Sequence, residues 1–231
     1  MGFSRFSTVA AAAPVRSGAE RATLVRRTYG LVFVGIVVSI FGAALAATQA
    51  SLLNAVVAHP FIGMICWFAP FMMLQAAPRA YPRNLMLMLL FTFIGGVLLA
   101  PALLFYVRVQ PGVLAEAGLL TFAAFGGLTL YAAVSRRDFS AWGGFFAVGL
   151  VVLLVTMVLG MFFHGIGGSL WIAGVGVFIF AGLLVFDTWR ILRSGQFGED
   201  DYVIAAVTLY LDVLNLFLFI LQLVSGGDRR S

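Results

Sequence analysis

Seven long apolar runs divide the chain, at Tyr29–Ala47 and then at about 60–76, 84–107, 116–135, 140–163, 169–192 and 203–224. Apolar runs of roughly 18 residues or more have the length needed to cross a bilayer. Lipid cannot satisfy open backbone groups, and seven spans do not close a barrel, so each run is predicted to be a helix. Pro70 and Pro101 fall inside the second and third runs and are predicted to kink them. The expected fold is an all-α integral membrane bundle of seven transmembrane helices.

Composition agrees with that reading. Hydrophobic residues make up 62% of the 231 and charged residues only 10%, against about a quarter in an ordinary soluble domain. The mean hydropathy is +1.07. One membrane domain is expected over 28–225, with a polar, Arg-rich, mobile cytoplasmic arm at 1–27 and a short tail at 226–231. The first run is longer than the roughly 7–15 apolar residues of a cleaved signal, so it is expected to stay as a span. Cys66 is the only cysteine. It excludes an intrachain disulfide and is expected to be a small buried hydrophobe.

All 14 basic residues are arginines, and the net charge is +5. They are scattered among loops rather than gathered on one face, which argues against a nucleic-acid partner. In a membrane protein such charges set orientation instead. With the N-terminus inside, eleven arginines lie on the inner side. Arg108 and the tail pair Arg229 and Arg230 lie outside. A re-entrant seventh segment would return that basic tail to the cytoplasm. The pairs Gly95–Gly96, Gly126–Gly127 and Gly143–Gly144 are expected to mark close helix approaches.

Two acids inside the last two runs stand out, Asp187 and Asp212. An ionised aspartate at mid-membrane costs at least ~2.5–3.5 kcal/mol, so such groups are paired, hydrated or protonated. At about 1.5 Å rise per residue they lie roughly 8 Å and 15 Å from the inner boundary. Side chains lean toward the N-terminus of their own helix, so on antiparallel neighbours the two carboxyls converge. Asp201, Ala205, Thr208, Asp212, Asn215, Phe219 and Gln222 fall at steps of four and three along the last run, tracing one helix face. A stripe carrying Thr208, Asn215 and Gln222 faces other helices or water rather than lipid, which makes this the inner helix. Thr208 and Asn215, taken singly, read as bonds to neighbouring helices.

Two carboxylates in contact cannot both ionise cheaply and share a proton. Protonated, such a pair is a hydrogen-bonded latch; deprotonated, it repels or accepts a cation. Calcium wants about 6–8 oxygen ligands, so Asp187 and Asp212 predict weak, transient Ca²⁺ contact rather than storage. No other cofactor is expected. Glu199, Asp200 and Asp201 precede the last run. They stabilise a helix N-terminus, or concentrate cations at the inner mouth. The sequence has no nucleotide-binding glycine loop, no Ser/His/Asp arrangement and no CxxC, so no enzyme is expected.

The stretches "AGLLVFDTWRIL" and "EDDYVIAAVTLYLDVLNLFLFILQLV" resemble the C-terminal signature of the Bax inhibitor-1 family. "FTFIGGVLLAPALLFY" and "LLTFAAFGGLTLYA" are similar to its third and fourth spans, and the likeness covers most of the chain from about residue 28. The resemblance implies a seven-helix fold with the last helix enclosed by the other six. It also implies a pH-sensitive calcium leak, with Asp187 and Asp212 as sensor, in a bacterial cytoplasmic membrane. Some bacterial relatives instead modulate a membrane-bound ATP-dependent protease. Some relatives carry acidic and basic residues in the second span, where residues 60–76 here carry none. Three functions are therefore expected to compete: a Ca²⁺ leak, a non-conducting protease modulator, and a proton-coupled transporter. Flux without a solute, co-purification of a protease, and pH-driven solute transport would separate them.

Overall fold

Lipid-facing helices must satisfy their own backbones, and almost every described residue does so in a helix. The computed structural model describes residues 18–162 and 170–227. In chain order the α-helices are α1 (Gly18–Thr48), α2 (Ala50–Ala58), α3 (Pro60–Ala76), α4 (Arg83–Val109), α5 (Val113–Val134), α6 (Trp142–Phe162), α7 (Leu170–Arg193) and α8 (Tyr202–Gly227). A 3-10 turn, Glu199–Asp201, leads into α8. No strand forms among the described residues.

Five helices, α1, α4, α5, α7 and α8, are long and apolar enough to cross a membrane. The α2–α3 pair reaches that length only as one broken span, because its halves meet at 95°. Pro60 opens α3 and disfavours helical backbone at the residue before it. His59 accordingly adopts φ −128° and ψ 59°. Over Trp142–Met157, α6 is a shorter apolar helix. The sequence predicts a short run at 60–76 and no bend before it.

The start of α1 at Gly18 falls inside the segment read as a mobile arm. Leu24 there is fully buried, and the Arg27 guanidinium lies 5.6 Å from the centre of the Tyr202 ring. The remainder of the arm, residues 1–17, lies outside the described residues, as do 228–231 of the tail.

The tightest helix pair is α1 with α4. A Cβ on Gly96 would overlap the Ser39 carbonyl, so glycine is what lets the two backbones touch. Gly95 and Gly143 also meet side chains closely, whereas Gly126, Gly127 and Gly144 face open space, so the glycine pairs mark close approaches only in part. Pro70 and Pro101 both lie within helices, in α3 and α4. Cys66 is exposed rather than buried, because α3 packs on α4 with one face only.

The last helix is the innermost: 61% of its most apolar 18 residues are buried, against 17% in α5. Its neighbours are α1, α4, α5 and α7, with α3 packed outside on α4 and α6 outside on α7. Enclosure is thus by four helices rather than the six expected. Helices α3 and α6 pack on α4 and α7 instead of on α8.

Candidate carboxyl pair and its arginine-rich mouth

A turn at Gly195, with φ of 74°, ends α7. That left-handed backbone is easy only for glycine, and it reverses the chain within a few residues. The short return makes α7 and α8 antiparallel neighbours and sets the depth of both acids. Asp187 sits in the last two turns of α7, and Asp212 near the middle of α8. They are 6% and 5% exposed. Their carboxyl groups lie close enough to interact with each other, as expected of two side chains leaning in opposite directions.

Their surroundings differ. Arg190 Nη1 donates to Asp187 Oδ1 at 3.4 Å, one turn further along α7. The same guanidinium is drawn outward, donating from Nε to Gln196 Oε1 at 2.7 Å and lying 5.0 Å from the centre of the Phe197 ring. Asp212 Oδ2 is buried with no hydrogen-bond partner. A buried carboxyl oxygen without a partner is costly unless a proton, a water or a cation reaches it. The pair therefore has one oxygen free to accept.

A hydroxyl pair joins α1 to α7. Tyr29 OH on α1 and Thr188 Oγ1 on α7 are 3.2 Å apart. The expected stripe on α8 is partly inward: Asp201, Ala205, Asp212 and Phe219 are buried, while Thr208, Asn215 and Gln222 are half-buried. Thr208 Oγ1 donates to Ile204 O at 3.0 Å, and Asn215 Nδ2 to Leu211 O at 2.8 Å. Both bonds stay within α8 instead of crossing to a neighbouring helix.

At the mouth, Glu199 and Asp200 are exposed and Asp201 is buried. Asp201 accepts from Arg79 Nε at 2.6 Å and Nη2 at 2.8 Å, a bidentate pair linking the α3–α4 loop to the start of α8. Hydrogen bonding and charge from Asp201 raise the Arg79 guanidinium above its usual range. Asp201 Oδ2 also accepts the Gly198 N–H at 2.7 Å, capping the turn. This end of the bundle also holds Arg193, whose Nη2 donates to Ala133 O at 2.8 Å. The opposite end is joined by Gln110 Nε2 donating to Ser225 O at 3.0 Å.

The roles of Arg79, Tyr29 and Thr188 are not visible in sequence, since their partners are distant in the chain. Arg190 carried a signal, being three residues after Asp187 on one helix face. Among the described residues no three His, Cys, Asp or Glu side chains converge as a metal-binding group.

The family model described as "Inhibitor of apoptosis-promoting Bax1" matches residues 21–229. The chain is 32% identical over 170 residues to Bax inhibitor 1 of Schizosaccharomyces pombe, covering 72% of this chain and 62% of that protein. A membrane protein of Vibrio cholerae is 30% identical over 217 residues, covering 90% of this chain and 93% of its own length. The Golgi anti-apoptotic protein of Vaccinia virus (strain Lister) is 34% identical over 150 residues, covering 65% of this chain and 61% of the viral protein. The chain thus spans somewhat less than two thirds of the viral and yeast relatives. With nearly its whole length matched from α1 to the end of α8, the chain belongs to the Bax inhibitor-1 family of integral membrane proteins.

Proposed function

We propose that this protein is a seven-span bundle, with its arginine-rich end in the cytoplasm, that leaks Ca²⁺ or a similar cation slowly under control of the Asp187–Asp212 pair. In this reading the broken pair α2–α3 and the helix α6 each count as one crossing. The observation that carries it is two buried carboxyls facing each other with Asp212 Oδ2 unpartnered.

At low pH the pair holds protons, carries little charge and stays latched between α7 and α8. As pH rises a proton leaves, and the resulting negative charge either parts the helices or takes a cation. Leak therefore increases with pH. Glu199 and Asp200 supply cations to the mouth. The Arg79–Asp201 clamp holds the first turn of α8 while the pair titrates. In liposomes loaded with a calcium dye, Asp187→Asn with Asp212→Asn flattens the pH dependence of leak. A dependence identical to that of the unsubstituted protein would defeat the proposal.

A second reading, a non-conducting modulator of a membrane-bound protease or other membrane partner, is favoured by the lack of a converging ligand group among the described residues. Liposomes silent at every pH, together with a protease that co-purifies, would select it. A proton-coupled transporter using the same carboxyls would move a solute under a pH gradient.

A further inference from the structure

A cavity of about 330 Å³ lies between α1, α4, α5 and α8. Its α8 wall is Tyr210, Val213, Leu214 and Phe217. At roughly 100° per residue these fall on the face of the helix opposite Asp212, so the cavity is separate from the carboxyl pair.

The hydroxyls in its wall are already satisfied. Ser39 Oγ donates to Gly35 O at 2.8 Å, which leaves Tyr210 OH to donate to Ser39 Oγ at 2.8 Å. Thr121 Oγ1 donates to Ala117 O at 2.7 Å. None of the buried side-chain polar atoms lacking a partner among the described residues lines the space. Water needs two to four polar partners to stay in such a site, and here it finds no free donor, only spare lone pairs on three hydroxyls whose own protons are already placed.

The mouth is framed by Ile40 on α1 and Phe122 on α5, which line the cavity and are also 64% and 75% exposed on the outer face of the bundle. In a membrane protein the medium outside that face is hydrocarbon, so the cavity is continuous with the bilayer interior. Its volume falls in the range of small-ligand sites, about 300–1,000 Å³. We infer that this cavity is a binding site for one acyl chain of a bilayer phospholipid, entering sideways between α1 and α5 and lying against α8.

The test uses the full chain in phosphatidylethanolamine–phosphatidylglycerol vesicles doped with a phosphatidylcholine bearing a diazirine on its acyl chain. After irradiation, adducts are mapped by peptide mass spectrometry. Labelling of α6, whose Val148, Val151 and Val152 are more than half exposed, serves as the internal standard. On α8, adducts at the lining residues Val213, Leu214 and Phe217 report a chain inside the cavity. Gly118 lines the cavity, and a Cβ there meets no atom within 4 Å. Gly118→Phe, or Gly118→Leu should the larger variant not fold, therefore fills the space. Gly126 has the same freedom but lies outside the lining, so Gly126→Phe is the control.

The expected result is labelling of both α6 and α8 in the unsubstituted protein, with a severalfold loss on α8 alone in the Gly118 variant. An unlabelled α8 beside a labelled α6, or α8 labelling equal in the Gly118 and Gly126 variants, overturns the proposal.

Discussion

The helices α6 and α8, of 21 and 26 residues, are both apolar, yet they occupy opposite environments. On α6, Phe145, Val148, Val151, Val152, Leu154 and Val155 are all more than half exposed, and the helix rests chiefly on α7. On α8, Val203, Ala205, Ala206, Leu209 and Leu216 are fully buried among four neighbours. In water the more hydrophobic helix would be the inner one. In a bilayer the lipid is as apolar as the core, so apolar content does not sort helices into layers. Polar content does. The helix carrying Asp212, Thr208 and Asn215 is drawn inward, and the one without a charge is left outside.

The largest effect that would break this contrast is a charge moved to the outer helix. Val152→Asp on α6 is expected to cost about 2.5–3.5 kcal/mol of insertion free energy, read as a loss of membrane-integrated protein. Equal insertion of this variant and the unsubstituted chain would mean that α6 is not lipid-facing.

Next in size is truncation of an aromatic on the inner helix. The Phe219 ring is 2% exposed and stacks on Phe180 at 5.8 Å. Phe219→Ala is expected to cost about 2–3 kcal/mol, the cavity share of a core truncation, since hydrocarbon removes most of the transfer contribution. Leu154→Ala on α6 should change stability little in the same detergent unfolding assay.

Smaller again is the clamp at the mouth. Asp201→Asn removes the charge that holds Arg79 and weakens the cap on Gly198 N–H. A fall of a few degrees in melting temperature is expected, together with faster hydrogen exchange in the first turns of α8. Arg79→Gln should reproduce most of that effect. The smallest is Thr208→Val. Its hydroxyl bonds only its own helix, so a loss under about 0.6 kcal/mol is expected.

Much of this architecture is legible in sequence, because length and hydropathy alone set where helices lie in a membrane. The run at 84–107 is α4 at Arg83–Val109, and the run at 169–192 is α7 at Leu170–Arg193. The convergence of Asp187 and Asp212 follows from helix direction and side-chain lean, both readable from the order of spans.

Pro60 marks where the chain breaks, but the right angle between α2 and α3 is not readable, since both halves are apolar and nothing in their residues reports direction. The partner of Asp201 is equally hidden. Its neighbours in sequence suggest only a helix start, and Arg79 stands 122 positions away. The resemblance implies six helices around α8 where four stand: a polar stripe tells which helix is inner, and packing geometry decides how many others touch it.

The account rests on a proton at the carboxyl pair giving way to a passing cation. Infrared difference spectroscopy of the reconstituted protein at fixed, mildly acidic pH observes that exchange directly. Adding Ca²⁺ should diminish a protonated-carboxyl C=O band, and Asp187→Asn with Asp212→Asn should abolish the change. A carboxyl band that ignores both Ca²⁺ and pH, or one that responds identically in the double variant, would contradict it.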